Sequence, residues 1–294
     1  MTIAACYLSA EGVVFGADST STMFVAAPAG PGGSPHHYNF AQKIFQVGDH
    51  GSLGITMWGL GNLFQVSYRT LIARFADQLA AQPAGTPQEL ADRWASYFWT
   101  EYTTSYAPIY QRVQALIAQP TRTPDEEREL VAARTFSGGF CLGGYLLPDR
   151  TPFAFEILYD PTYTTSGPVR ALQVGSSNFW GCPNLIERLI YGIDEGLFAA
   201  IRDSGKWTGT PQELVELVAP HRLSQPFDLP IREAIDWVFT SIYTTNQAMK
   251  FSHLPPVCGG PVEVAVISTD RPFRWVRHKR LDAAIGPNGQ SHDS

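Results

Sequence analysis

The chain opens with two short apolar runs. Residues 3–8 and 13–17 are almost continuously hydrophobic and are separated by Glu11-Gly12, so they read as two strands joined by a tight turn. A second pair follows at 43–47 and 53–58, turning at Gly48-Asp49. Between the pairs, Pro28-Ala29-Gly30-Pro31-Gly32-Gly33 breaks any periodicity, and residues 26–35 read as an irregular loop. From Leu63 onward the period changes. Leu63, Val66, Leu71, Ile72, Phe75 and Leu79 recur at helical spacing, and a second helical stretch begins after Thr86-Pro87, a good N-cap and first-turn pair. It extends to about Ile117, before a Pro/Thr-rich break at 120–124.

Strand patterning returns at 140–147 and 153–158, and again at 169–174. Helices are predicted over 183–201, 211–218 and 230–249, and a last strand over 262–268. The helices come in blocks flanked by strands instead of alternating singly with them. That grouping favours mixed sheets with helices packed outside over a doubly wound parallel sheet. The polar tail 286–294 is expected to be disordered.

Composition narrows the class. The chain has 294 residues, 44% hydrophobic and 16% charged, enough apolar material for one large domain, expected over 1–285. The net charge of −6 supplies no phosphate-tracking surface, so nucleic acid is not an expected partner. No apolar stretch is long enough to span a bilayer and no leader pattern opens the chain, so a cytoplasmic protein without membrane contact is expected. Cys6, Cys141, Cys182 and Cys258 lie far apart with no zinc-type spacing, and read as reduced, buried thiols. His36-His37 reads as a solvated loop pair, so no metal is expected. Gly59-x-Gly61 lacks the rest of a dinucleotide fingerprint, and no cofactor is implied. The basic, aromatic run 271–280 reads either as an edge strand guarded by charge or as an assembly surface.

Four motifs occur in a set order: Thr2-Ile3 opening a strand, Gly12-Val13-Val14-Phe15-Gly16-Ala17-Asp18-Ser19, Gln42-Lys43-Ile44-Phe45, and Trp58-Gly59-Leu60-Gly61. In that order they resemble proteasome β-type subunits, as a divergent bacterial or archaeal-type homologue. The resemblance implies an α+β fold, a four-layer αββα sandwich, and an N-terminal nucleophile hydrolase. Thr2 would be the nucleophile after removal of Met1, with Asp18 sixteen residues on and Lys43 delayed by an insertion near 26–40. Further insertions fall near 80–135 and 247–257. Lys43 would act as a fixed cation held by Asp18, and the Gly59 N–H would face the oxyanion. A threonine hydroxyl needs a base, and a freed α-amine, with an ordinary pKa of about 7.7–8.0, suits that role.

More weakly, Gly175-Ser176-Ser177 resembles the family's Gly-Ser-Gly loop, which would make Ser176 a supporting hydroxyl, with Ser177 in place of a glycine. Cys258-Gly259-Gly260 stands where the family has Ser-Gly-Gly, and Pro255 stands where an aspartate is expected. Phe45 and Met57 are expected to shape an apolar substrate pocket beside Thr2. The implied activity is peptide-bond hydrolysis through an acyl-enzyme on a peptide or protein substrate, in a homo-oligomer. An unfoldase partner is not legible. Transfer of the acyl group to an amine, as in a transpeptidase or ligase, and a non-catalytic scaffold remain open alternatives.

Overall fold

The computed structural model describes residues 2–25, 34–64, 66–223, 227–252 and 257–279. Most of the glycine-rich loop, Pro255, Arg280 and the tail 286–294 lie outside the described residues.

The chain begins with β1 (Ile3–Ser9) and β2 (Gly12–Ala17), an antiparallel hairpin in which every strand residue is buried. β3 (Ser21–Val25) and β4 (Ser34–Tyr38) pair as a separate two-stranded ribbon. The expected irregular loop is thus partly strand at its C-terminal end, because the turn residues that mark it connect two short strands. β5 (Ile44–Val47) and β6 (Leu53–Gly59) form the second expected hairpin.

The helical block that follows holds α1 (Tyr68–Ala81), α2 (Pro87–Ser105), α3 (Ala107–Ile117) and α4 (Pro124–Ala133), where the sequence suggested two helices. α1 starts at Ser67, whose side chain accepts from Thr70 N; Leu63 and Val66 form a tight bridge before it. The long helical stretch breaks at Tyr106, with Pro108 in the first turn of α3. The Pro/Thr-rich break proves to be a helix start: Thr123 and Glu126 form a capping box and Pro124 takes the first position of α4.

Beyond lie β7 (Gly138–Gly144), β8 (Phe153–Tyr159), β9 (Val169–Ala171) and β10 (Ser176–Gly181). The strand expected over 169–174 therefore stops at Ala171, and β10 went unread because its polar Ser176, Ser177 and Asn178 mask it. The helix expected over 183–201 is split into α5 (Asn184–Tyr191) and α6 (Glu195–Asp203) by Gly192 in the left-handed region, φ +79°. α7 (Pro211–Val218), α8 (Ile231–Lys250), β11 (Glu263–Ser268) and β12 (Arg271–Arg277) complete the described chain.

The strands form two five-stranded sheets, β10-β1-β2-β11-β12 and β5-β6-β7-β8-β9. Three apolar clusters define the layers. Phe75, Trp94, Phe98 and Phe140 join α1 and α2 to the second sheet. Phe15, Trp58 and Ala265 fill the space between the sheets, where Trp58 and Trp180 stack at 4.4 Å. Tyr7, Val238 and Ile242 join α8 to the first sheet. The result is the four-layer αββα sandwich. Both faces of β1 and β2 are covered, which is why they read as unbroken apolar runs and not as alternating ones. β12 is an edge strand, as the first reading of the basic run proposed. Among the described residues no helix is long and apolar enough to cross a membrane.

Candidate active site

The β1–β2 hairpin sets the first part of the site. Its register continues one step past the strands, so that Asp18 N donates to Ile3 O at 3.0 Å while Ile3 N donates to Asp18 Oδ1 at 3.1 Å. The aspartate is thereby fixed next to the residue that follows Thr2. Asp18 Oδ2 accepts from Thr20 N at 3.1 Å and from Gly259 N at 2.9 Å. Its side chain is completely buried, and its charge is met by backbone dipoles as well as by a cation.

That cation is Lys43, which enters from the second sheet. Its Nζ stands 2.5 Å from Asp18 Oδ1. Burial pushes the Lys43 ammonium below its ordinary pKa, and the neighbouring Asp18 carboxylate opposes that shift. Met57 N donates to Lys43 O at 3.0 Å, which ties the lysine backbone to β6. A second buried pair supports the approach to Lys43: Lys279 Nζ donates to Glu263 Oε2 at 2.6 Å and to Ala41 O at 3.2 Å. Sequence reasoning missed this pair. Its signal was a lone acid, Glu263, inside apolar strand text, where a charge demands a partner.

Thr2, 4% exposed, lines a cavity of about 50 Å³ together with Lys43, Met57, Gly59 and Thr20. Gly59 ends β6 at φ +84°, and a Cβ there would lie 2.3 Å from Ser137 O, so only glycine fits. The structure thus brings Thr2, Asp18, Lys43, Met57 and Gly59 to one place.

Phe45 and Ser176 are not brought there. Phe45 faces α1, with the Arg69 guanidinium 5.7 Å from its ring centroid, and lines a separate cavity of about 380 Å³. One position along a strand separates it from Ile44, which turns inward between the sheets. Ser176 pairs with Leu8, at the far end of β1 from Thr2, and its hydroxyl donates to Gln173 O at 2.6 Å. Six residues of strand place it about 20 Å from Thr2.

The turn that does meet Thr2 is at the other end of β10. Ile3 pairs with Gly181, whose φ of +86° brings it so close that a Cβ would lie 1.8 Å from Thr2 O. Cys182 follows directly. Its side chain and that of Cys258 are both buried and belong to one apolar cluster with Ile3. The neighbouring Cys258 thiol lowers the Cys182 pKa against the cost of burial, while Cys182 and burial push the Cys258 thiol up. The sequence signal for Cys182 was available: Gly181-Cys182-Pro183 is a glycine-led turn immediately before a helix, as Gly175-Ser176-Ser177 is not.

No family model and no curated protein matches the chain. Among solved structures it is similar to an Anbu (Gly-1) mutant from Hyphomicrobium sp. strain MC1, at TM-score 0.50 and 15% identity, over 96% of this chain and 87% of that one. It is also similar to Anbu (ancestral beta-subunit) from Yersinia bercovieri, at TM-score 0.46 and 14% identity, over 97% of this chain and 90% of that one. The Hyphomicrobium structure corrects the resemblance read from the sequence: it is an Anbu protein, where the sequence motifs suggested a proteasome β-type subunit. What the chain shares with the Hyphomicrobium protein is its αββα fold.

Proposed function

We propose that the chain hydrolyses amide bonds of peptide or protein substrates with Thr2 as an N-terminal nucleophile, bared by removal of Met1. The observation that supports this reading is the buried Lys43–Asp18 pair, whose lysine lines the same cavity as Thr2. In the proposed reaction the freed α-amine takes the hydroxyl proton, and the Thr2 oxygen attacks the substrate carbonyl carbon. Lys43 keeps positive charge beside the developing anion, and the Gly59 N–H receives the oxyanion. The leaving amine departs with the proton, and water then resolves the ester. Asp18 acts as a positioning residue, holding Lys43 and the backbone on either side. Met57, on the cavity wall, favours an apolar side chain before the scissile bond.

The test is the intact mass of the full chain before and after incubation with a peptide epoxyketone, which closes its ring only on an adjacent hydroxyl and free α-amine. Loss of Met1 and gain of one adduct, both adduct and turnover abolished by Thr2→Ala, is the expected result. Retention of Met1 throughout would overturn the proposal. Adding an amine peptide during turnover separates hydrolysis from acyl transfer.

A further inference from the structure

We propose that Tyr68 and Tyr106 are positioning residues for the Thr2 reaction, whose buried hydroxyls hold the loop 60–62 and so aim the Gly59 N–H at the oxyanion. The loop needs an external hold. Gly59-Leu60-Gly61 leads from the end of β6 toward the bridge ahead of α1, and two glycines around one leucine make a permissive stretch of backbone.

Strand geometry sets the direction of the Gly59 N–H. Met57 N donates to Lys43 O on the β5 side of β6, whereas Leu60 N donates to Ser137 O on the β7 side at 3.2 Å. Backbone groups alternate along a strand, so the Gly59 N–H lies on the β5 side with that of Met57, toward the cavity that Thr2, Lys43 and Gly59 line. That direction lasts only while the peptides after Gly59 keep theirs.

Two tyrosines pin those peptides. Tyr68 Oη donates to Leu60 O at 2.8 Å, and Tyr106 Oη donates to Asn62 O at 2.9 Å. The single Tyr68 hydroxyl proton goes to Leu60, so Tyr159 Oη, 3.3 Å away, donates to Tyr68 and orients it. Tyr68 opens α1 and Tyr106 joins α2 to α3; both are buried, with their rings packed edge-on against Phe140 and Phe136 respectively. Phe75 and Phe98 fill the same cluster without a hydroxyl. A buried hydroxyl is costly unless bonded, and here both bonds end on the loop that carries Gly59. As the substrate carbonyl turns tetrahedral, a donor already in place stabilises its oxygen more than one that must reorient. Without the two hydroxyls the loop adopts other peptide orientations, and the N–H faces the oxyanion for less of the time.

The catalytic role rests on the function proposed above; the hold on the loop does not. Tyr68→Phe, Tyr106→Phe and the double variant are compared with Tyr7→Phe, which deletes a buried hydroxyl bonded to Leu229 N in the α8 layer. Peptide turnover is measured together with inhibition by a peptide aldehyde, which forms a tetrahedral adduct on Thr2, and by the matching alcohol, which forms none. Hydrogen exchange of the Leu60 amide is followed in the same variants. In the double variant kcat and aldehyde affinity should fall by roughly tenfold or more while KM and alcohol affinity hold, because only the tetrahedral species uses the oxyanion donor. Leu60 exchange should rise by about the same factor, with smaller changes in each single variant. Tyr7→Phe should keep native turnover and native Leu60 exchange. Equal losses in Tyr7→Phe, a rise in KM without a fall in kcat, or unaltered Leu60 exchange in the double variant overturns the proposal. If the native chain turns over no peptide and takes no aldehyde, the Thr2 reading fails, and Leu60 exchange still decides whether the tyrosines hold the loop.

Discussion

Lys43 Nζ lies 2.5 Å from Asp18 Oδ1, and neither side chain is more than 5% exposed. The two residues flank strands of different sheets, so their pairing ties the two sheets together beside Thr2. Taking two charges out of water is costly, and such a pair is seldom a net source of stability. Its value here is positional: it fixes one cation against one strand end.

The partners of this pair are not equivalent, and the first prediction follows from that. Asp18 accepts from three backbone N–H groups besides Lys43. Lys43→Met leaves those three bonds in place and should cost about 1–3 kcal/mol. Asp18→Ala strands the Lys43 ammonium, which has no other hydrogen bond among the described residues, and orphans three buried donors. It should cost at least about 3–5 kcal/mol. Urea unfolding of both variants checks the order, and equal losses would refute it.

A second prediction isolates the close approach at Thr2. Gly181 and Gly205 both have positive φ, +86° and +68°. A Cβ at Gly181 meets Thr2 O at 1.8 Å, whereas at Gly205 nothing lies within 4 Å. Gly205→Ala should therefore cost only backbone strain, about 1–2 kcal/mol, with the labelling rate intact. Gly181→Ala should displace Thr2 and slow epoxyketone labelling by tenfold or more. Similar labelling of the two variants would show that Gly181 does not shape the site.

How much of this was legible in the sequence depends on the range over which each signal acts. The β1–β2 hairpin and the places of Asp18 and Lys43 were readable because fully buried strands leave unbroken apolar text on either side. The position of Ser176 was misread because a Gly-Ser pattern carries no register; only the pairing of Ile3 with Gly181 shows which end of β10 reaches Thr2. Phe45 was misplaced for a related reason, since side chains alternate along a strand and spacing alone does not say which sheet face will open on the site. Cys182 and Cys258 share one buried cluster although they lie far apart in sequence, and no local pattern encodes that.

The third prediction concerns specificity and separates the two residues expected to line the substrate pocket. Met57 lines the Thr2 cavity and Phe45 does not. Met57→Ala enlarges the cavity and should shift preference toward bulkier apolar side chains by roughly tenfold, the scale of a methylene or two in an apolar pocket. Phe45→Ala removes a buried ring from the core and should cost about 3–5 kcal/mol while leaving the order of preference unchanged. Ranking a panel of peptide epoxyketones with each variant decides it. A shifted order in the Phe45 variant would mean that the substrate reaches the face of the sheet covered by α1.

The last prediction is a pH dependence away from the site. Burial works against the charged form of Asp194, but Arg188, Asn184 Nδ2 and the Leu197 N–H at the start of α6 outweigh it and hold the carboxyl at about 2, below its ordinary 3.8. As pH falls, the unfolded chain therefore takes up this proton before the folded one does. The stabilisation from Asp194 is complete above about pH 4 and is lost as the medium is acidified from the ordinary value toward 2; at neutral pH it amounts to about 2 kcal/mol. Asp194→Asn keeps an N-cap side chain but not the charge facing Arg188. It should lower stability at pH 7 by about 1–2 kcal/mol and show a smaller further loss on moving to pH 3 than the native chain does. Urea midpoints at the two pH values measure both quantities, and an unchanged acid dependence in the variant would remove Asp194 from the account.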